Sequence, residues 1–166
     1  MSDIIIRPAS EADLPAVLAI YNDAVATTTA IWNDHLSDLD GRRDWWQDRV
    51  SQGFPVLVAE MDDVCIGYAT YGHFRPNDGY KHSRELSVYV AAQQRGKGIA
   101  SRLMEALEGH ARAHGVHVLI GGLEAENTAS LALHEKQGFT QAGHLKQVGR
   151  KFDRWLDLVL MQKVLD

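Results

Sequence analysis

The part of this sequence that most constrains its fold is a strand that leads through a glycine turn into a helix. Apolar and polar side chains alternate over residues 85–90, which predicts a strand whose apolar face carries Leu86, Val88 and Val90. Arg95-Gly96-Lys97-Gly98 follows, and then apolar residues at helical spacing: Ile99, Leu103, Ala106 and Leu107. Glycines let the backbone approach a ligand closely, and the free amides that begin a helix attract anions. The segment therefore predicts a site for a phosphate-bearing cofactor.

This turn differs from the two common nucleotide-binding loops. A P-loop would need a glycine where Ala91 stands and a Ser or Thr where Gly98 stands. A dinucleotide fingerprint would need a third glycine and an acidic ribose ligand in a following βαβ unit. The two glycines alone are also compatible with an ordinary tight loop, whereas the local positive charge of Arg95, Lys97 and Arg102 favours an anion site.

Hydrophobic periodicity elsewhere predicts a mixed α/β chain. Further strands are expected at residues 4–7, 56–59, 64–71, 116–120, 139–148 and 155–164, the last two forming a hairpin. Capping residues predict helices that begin near Ser10, Ser37 and Asn127, and the run Thr27–Thr29 is expected to end the first of them. Because no repeat or linker divides the chain, residues 1–166 are expected to form a single domain.

Composition argues against several other classes of protein. The chain has 17 Lys and Arg against 22 Asp and Glu, a net charge of −5, which disfavours nucleic acid as a partner. The single cysteine, Cys65, can form neither an intramolecular disulfide nor a zinc cluster, so we expect a reducing compartment and no metal. The apolar run at residues 4–6 is too short for a signal peptide, and no stretch approaches the ~20 apolar residues of a membrane span. We therefore expect a cytoplasmic protein with no membrane partner.

Two motifs resemble the GNAT family of N-acetyltransferases. Arg95-Gly96-Lys97-Gly98-Ile99-Ala100 is similar to the family's Q/R-x-x-G-x-G/A motif. Asn127-Thr128-Ala129-Ser130 and Leu133-His134-Glu135-Lys136-Gln137-Gly138-Phe139 resemble its downstream "N…A…LYEKxGF" stretch. The order of predicted elements is also similar over nearly the whole chain. The resemblance implies the GNAT fold, an α/β (α+β) architecture with a mixed, mostly antiparallel central sheet and about four helices on both faces.

Within that family the sequence looks most like the phosphinothricin and methionine sulfoximine acetyltransferases. The similar segments include Thr29-Ala30-Ile31-Trp32, Tyr71-Gly72, and Val148-Gly149 with Lys151-Phe152 and Trp155-Leu156-Asp157. The resemblance implies acetyl-CoA as donor, the α-amine of a small amino acid or analogue as acceptor, and direct attack in a ternary complex without metal. It also implies a homodimer, since related enzymes are commonly dimers.

The resemblance also implies which residues bind acetyl-CoA. The pantetheine arm would lie against the backbone of Val88, Tyr89 and Val90, like an added strand. The pyrophosphate would lie on the amides that begin the next helix, beside Arg95: Gly96, Lys97, Gly98, Ile99, Ala100 and Ser101. Asn127 would bind the pantetheine arm or serve as a helix N-cap, and the two roles are compatible. Lys136 would reach a phosphate or simply complement the dipole of its helix.

Two residues are candidates for proton transfer. Glu85 matches a glutamate assigned as general base in the resembling enzymes, and its alternative is a solvated charge paired with Arg84 or Lys81. His134 stands where many family members carry a tyrosine that protonates the departing thiolate. An imidazole could act there as acid or base, or be an ordinary surface or capping residue.

The acceptor site implied by the resemblance surrounds Glu85. Arg75 offers a planar fork suited to a carboxylate or phosphinate. The other acceptor-binding residues implied are Trp32, Phe74, Pro76, Asn77, Leu86 and Ser87. Tyr80 and Tyr89 are further candidates for an apolar wall, although each aromatic could equally be a core residue. Two other functions remain open: acetylation of a protein or peptide amine, and a CoA-binding module without catalysis.

Overall fold

A seven-stranded sheet in the order β1-β2-β3-β4-β5-β7-β6 organises the computed structural model, which describes residues 2–166. Its strands are β1 (Ile4–Pro8), β2 (Val56–Met61), β3 (Val64–His73), β4 (Ser83–Val90), β5 (Val118–Glu124), β6 (Thr140–Lys151) and β7 (Arg154–Val164). Within this described range only β4 and β5 pair in parallel; the other neighbours are antiparallel. The mixed, mostly antiparallel sheet predicted from the sequence is confirmed.

Four α-helices cover the two faces of this sheet: α1 (Leu14–Thr27), α2 (Leu39–Ser51), α3 (Ile99–Ala113) and α4 (Thr128–Lys136). On one face, Val17 and Ile20 of α1 pack against Val58 and Tyr68. On the other face, α3 buries a larger core with alternate residues of the same strands: Leu57, Ala59, Ala69, Tyr71, Leu103 and Leu107. Successive side chains of β2 and β3 therefore serve opposite cores, as strand geometry requires. No helix in the described range, residues 2–166, is long and apolar enough to cross a membrane.

Among the element boundaries that differ from the predicted ones, three have a clear physical reason. The chain after Ser10 forms a 3₁₀ turn at Glu11–Asp13 before α1 begins. Strand β5 was expected at residues 116–120, but it runs to Glu124 through Gly121 and Gly122, because pairing with β7 overrides the low β-propensity of glycine. Strand β6 continues past residue 148 because a bulge, with the backbone of Gln147 at φ 56°, lets pairing with β7 resume at Gly149.

Strands β4 and β5 separate in the middle of the sheet. They pair only over Ser83–Glu85 and Val118–Ile120, whereas β4 stays paired with β3 as far as Val90. The amide of Ala91 donates to the carbonyl of Ile66 on β3 at 2.9 Å. Since backbone groups alternate in direction along a strand, those of Val88 and Val90 face away from β3. Unpaired backbone of β4 therefore borders an opening within the sheet.

Candidate active site

The opening between β4 and β5 is part of a cavity of about 990 Å³. Its walls come from the centre of the sheet, the end of α1 with the loop that follows, the start of α3, helix α4, and the turn between β6 and β7. The lining includes residues 86–90, 122–124, 27–30, 98–101, 126–127 and 132–134. Every residue predicted to bind the cofactor lies in this lining except Lys97, whose ammonium donates instead to Gln94 Oε1 at 2.8 Å.

The turn before α3 forms an anion cradle at one end of this cavity. Gly96 and Gly98 have φ of 79° and 78°, left-handed values that favour glycine, and Gly98 is the N-cap of α3. The first amides of α3 are therefore directed at the cavity with the positive end of the helix dipole behind them. The Arg95 guanidinium, half exposed, lies 3.8 Å from Asp23 and adds positive charge at the rim.

Asn127 and Lys136 lie at the two ends of α4, and both contribute to the cavity lining. The Oδ1 atom of Asn127 accepts a hydrogen bond from the amide of Ser130 at 3.2 Å, which confirms its role as N-cap. This bond uses the side-chain oxygen and leaves the NH₂ group available to a ligand. The Lys136 side chain is exposed, so it can reach a phosphate at the cavity mouth.

His134 is buried on α4, with 3% of its surface exposed, so the surface alternative is wrong. Its Nδ1 lies 2.7 Å from the carbonyl of Ser130, which can only accept, so Nδ1 carries the hydrogen and Nε2 is bare in the neutral ring. Nε2 is buried without a partner among residues 2–166, and a side chain at Gly121 would lie 2.7 Å from it. Burial lowers the pKa of His134. At neutral pH the ring is therefore neutral, with an unpartnered hydrogen-bond acceptor at its buried Nε2.

Glu85 is the last β4 residue that pairs with β5, one position before the cavity lining begins at Leu86. Its side chain reaches solvent, but partial burial of the carboxyl group raises the pKa of Glu85. The nearby positive charge of Arg49 lowers this pKa and offsets part of the rise. No ion pair joins it to Arg84 or Lys81 within residues 2–166: the Arg84 guanidinium lies over the Phe54 ring instead. The expected pairing with Arg84 or Lys81 is therefore wrong, whereas the side chain is solvated at the strand end as that alternative required, and its carboxyl group has a raised pKa.

The residues predicted to bind the acceptor are only partly brought together. Leu86 and Ser87 line the cavity. Phe74, Arg75, Pro76 and Asn77 lie outside the lining, in the loop after β3, and the last three are exposed. The Arg75 guanidinium lies 5.4 Å from the centroid of its neighbour Phe74. Within this chain, Arg75 therefore covers its own loop.

Trp32 lies outside the cavity lining but stabilises one of the cavity walls. Its Nε1 donates to the carbonyl of Thr29 at 2.8 Å, and its ring lies so close to Gly149 of β6 that any side chain there would overlap it. Gly149 thus needs its small size for this contact. The loop after α1 is in this way attached to β6, more than a hundred residues away in sequence.

Lys151 strengthens the same attachment and was assigned no role by sequence reasoning. It is 4% exposed, and its Nζ donates to the carbonyls of Thr28 at 2.7 Å and Ile31 at 2.5 Å. Burial lowers its pKa. An isolated lysine in an exposed edge strand gives no sequence signal of such a role, because the contact depends on how β6 is placed beside α1.

Comparison with known proteins places this architecture in a family. A model of the Acetyltransferase (GNAT) family matches residues 17–139, and the chain belongs to that family. The L-methionine sulfoximine/L-methionine sulfone acetyltransferase of Pseudomonas aeruginosa is 51% identical over 162 residues, which cover 97% of this chain and 94% of that protein. The resemblance inferred from the two motifs is therefore confirmed.

Two solved structures are similar over nearly the whole chain. One is a putative acetyltransferase from Salmonella typhimurium with its cofactor acetyl-CoA, with TM-score 0.96 and 46% identity, covering 98% of this chain and 94% of that one. The other is a ribosomal-protein-alanine N-acetyltransferase from Brucella melitensis, with TM-score 0.96 and 60% identity, covering 97% and 99%. The names of the Pseudomonas aeruginosa and Brucella melitensis proteins give different acceptors, methionine sulfoximine or methionine sulfone for the first and ribosomal-protein alanine for the second.

Proposed function

We propose that this protein transfers the acetyl group of acetyl-CoA to the α-amine of a small amino acid or analogue of the methionine sulfoximine, methionine sulfone or phosphinothricin type. The observation that carries this proposal is the continuity of three features: an anion cradle at α3, an opening bordered by unpaired β4 backbone, and a free carboxylate at the end of that opening. The 51% identical relative from Pseudomonas aeruginosa supports the choice of acceptor.

The chain's own groups suffice to hold the donor. The amides of residues 96–101 take the pyrophosphate, because they begin a helix and lack partners within it. The outward-facing backbone groups of Val88 and Val90 pair with the amides of the pantetheine arm, and the NH₂ group of Asn127 donates from the opposite wall. These contacts direct the thioester along β4 toward Glu85.

Glu85 removes the proton that blocks the reaction. An α-amine with a pKa of about 8 is mostly protonated at neutral pH and must lose a proton before it attacks the thioester carbonyl. A carboxylate whose pKa is raised by burial accepts that proton more readily than an ordinary glutamate. The amine then attacks directly, and no covalent acyl-enzyme is formed.

His134 serves the transfer as an acceptor. An acid role would require the imidazolium, which burial disfavours, whereas the neutral ring carries a bare, buried Nε2 beside Gly121. We infer that Nε2 accepts a hydrogen bond from a group of the bound ligands or from water near the thioester. The proton needed by the departing thiolate then comes from solvent or from the acid form of Glu85.

An acetyl-transfer assay read by mass spectrometry tests the proposed function. The panel contains methionine sulfoximine, methionine sulfone, phosphinothricin, the common amino acids and a peptide with N-terminal alanine. Acetylation of the small amines is expected, and its loss in Glu85→Gln assigns it to this site. Absence of acetylation of every small amine would refute the proposal.

A protein or peptide acceptor is a second candidate, favoured by the similarity to the Brucella melitensis protein. It requires that the N-terminal peptide be acetylated faster than any free amino acid in the same panel. A CoA-binding module without catalysis would bind acetyl-CoA and acetylate nothing. The assay therefore separates all three functions.

We also infer a cytoplasmic homodimer that acts as one catalytic domain over residues 1–166. The edge hairpin β6–β7 exposes Leu145, Val148, Phe152 and Trp155, an apolar surface that a second copy of the chain would cover. The single cysteine suits a reducing compartment. Light scattering on a chain of 18.5 kDa tests the dimer, and a monomeric mass at micromolar concentration would refute it.

A further inference from the structure

A guanidinium that has no ionic partner among residues 2–166 lies beside Glu85. Arg49, in the last turn of α2, is partly buried, and its head group packs over Gly72 of β3 so closely that any side chain at position 72 would overlap it. Its Nη1 lies 3.5 Å from the hydroxyl of Thr70, at the limit of a hydrogen bond. The glycine thus provides the space in which the guanidinium is held.

Arg49 differs from the other well-fixed arginines of this chain. Arg7, Arg43, Arg112 and Arg154 each lie within 3.0 Å of a carboxylate. Arg49 has no carboxylate within 4.0 Å among residues 2–166, and burial lowers its pKa. A partly buried cation without an anion is unfavourable, and an anionic ligand would relieve that cost.

The guanidinium also keeps donors free. Nε and Nη2 of Arg49 donate to no protein acceptor in the described part of the chain. The fully buried atoms without partners are Arg42 Nε, Trp46 Nε1 and His134 Nε2, so neither free nitrogen of Arg49 is among them. Both therefore reach solvent and can form the two parallel bonds that a carboxylate accepts.

Strand register places these donors beside the proposed base. Gly72 pairs directly with Glu85 across β3 and β4, and directly opposed residues point to the same face of a sheet. The Arg49 head group over Gly72 and the Glu85 carboxylate are therefore neighbours, near enough for each to shift the pKa of the other. They nevertheless do not pair, which leaves one free to bind an anion and the other to accept a proton.

We propose that Arg49 binds the carboxylate of the acceptor and so presents its α-amine to Glu85. This inference rests on the proposed function and narrows its acceptor to α-amino acids with a free carboxylate. In such a molecule a single carbon joins the amine to the carboxylate, so a cation next to the base fixes both groups at once. A peptide N-terminus has an amide at that point and gains nothing from Arg49.

Paired acceptors test this inference, with methionine sulfone compared with its carboxamide. In Arg49→Met we expect kcat/KM for methionine sulfone to fall about 10- to 100-fold, the value of a charge-assisted hydrogen-bond pair, and to change less than about threefold for the carboxamide. Gly72→Ala should give the same acceptor-dependent loss, because it displaces the guanidinium and keeps its charge. Arg43→Met is the matched control, since that arginine of α2 pairs with Glu11 and Asp40.

Three results would overturn the inference. Equal losses with the acid and the carboxamide would make Arg49 a structural or Glu85-positioning residue. A loss confined to the acid in Arg75→Met, and absent in Arg49→Met, would assign the carboxylate to Arg75. Unchanged kinetics in both Arg49 and Gly72 variants would exclude any role in acceptor binding.

Calorimetric binding of methionine sulfone to the CoA-loaded protein separates this inference from the proposed function. Binding by the wild type that is lost in Arg49→Met supports the carboxylate site even if no acetyl transfer is found. Equal binding by the two proteins refutes the carboxylate site even if the wild type is an active acetyltransferase.

Discussion

Replacing Lys151 by Met, an unbranched side chain that lacks the ammonium group, should loosen the cavity wall after α1. Two charge-assisted hydrogen bonds, to the carbonyls of Thr28 and Ile31, would be lost. At about 1.5–3 kcal/mol each, they contribute about 3–6 kcal/mol, part of which is offset by the cost of burying the ammonium. We therefore expect the free energy of unfolding to fall by about 2–4 kcal/mol.

The catalytic consequence should fall mainly on the acceptor. The loop of residues 28–31 forms one wall of the cavity, whereas the proposed contacts to the donor come from β4 and the start of α3. We expect the KM for the amino-acid acceptor to rise about tenfold, equivalent to about 1.4 kcal/mol of lost positioning, with a much smaller change in acetyl-CoA affinity. Urea denaturation and steady-state kinetics on the same preparation measure both effects.

Lys146→Met is the matched control, because that lysine lies exposed on the same strand. It should change neither the denaturation midpoint nor the KM. The reasoning is refuted if Lys151→Met unfolds at the wild-type urea concentration and keeps the wild-type KM. A larger effect on acetyl-CoA affinity than on the acceptor would show that the loop holds the donor instead.

Three further predictions concern proton-binding groups. His134→Ala should lower kcat by about tenfold, the value of one hydrogen bond, if Nε2 accepts a bond during the transfer, and an unchanged kcat would contradict that role. Because the pKa of Glu85 is raised above 4.5, kcat/KM should decline as the pH falls through that raised value. The acid limb of the pH profile should therefore lie above the pH at which an ordinary glutamate titrates. Glu85→Gln should abolish this limb together with most of the activity. Arg7 lowers the pKa of Asp13, so the Asp13 carboxylate stabilises the fold above about pH 3.8. This contribution is lost as the pH falls through the lower pKa that Asp13 has in the folded protein. The acid-unfolding curve of Asp13→Asn should lack this step.

The segments that the sequence predicts well are those whose structure depends on neighbours along the chain. The turn before α3 follows from the left-handed φ that Gly96 and Gly98 supply, and the N-cap of α4 follows from Asn127. The cofactor residues of these segments lie together in the cavity lining, apart from Lys97. Local chemistry is enough to place an anion cradle and the strand before it.

Contacts between distant segments could not be predicted from the sequence. Trp32 and Lys151 depend on the placement of β6 beside α1, and Arg49 reaches Glu85 only through the pairing of β3 with β4. Arg75, whose chemistry suits a carboxylate, lies in a loop outside the cavity lining. Arg49 and Glu85 also lie outside this lining, and the place of Arg75 in acceptor binding stays a prediction. Residue type can indicate what a side chain is able to bind, but strand register decides what it is near.

The short pairing of β4 with β5 leaves two groups of strands, β1–β4 and β5–β7, joined by few backbone hydrogen bonds. Within residues 2–166, β4 pairs with β5 only over Ser83–Glu85 and Val118–Ile120, and the amides of His117 and Val118 also donate to the carbonyl of His82 just before β4. A ligand that lies along Val88 and Val90 would form further backbone hydrogen bonds with β4 and would contact both groups of strands. Ligand present at 100 times its dissociation constant would stabilise the folded chain by about 2.7 kcal/mol, so resistance to heat and proteolysis should follow the supply of acetyl-CoA.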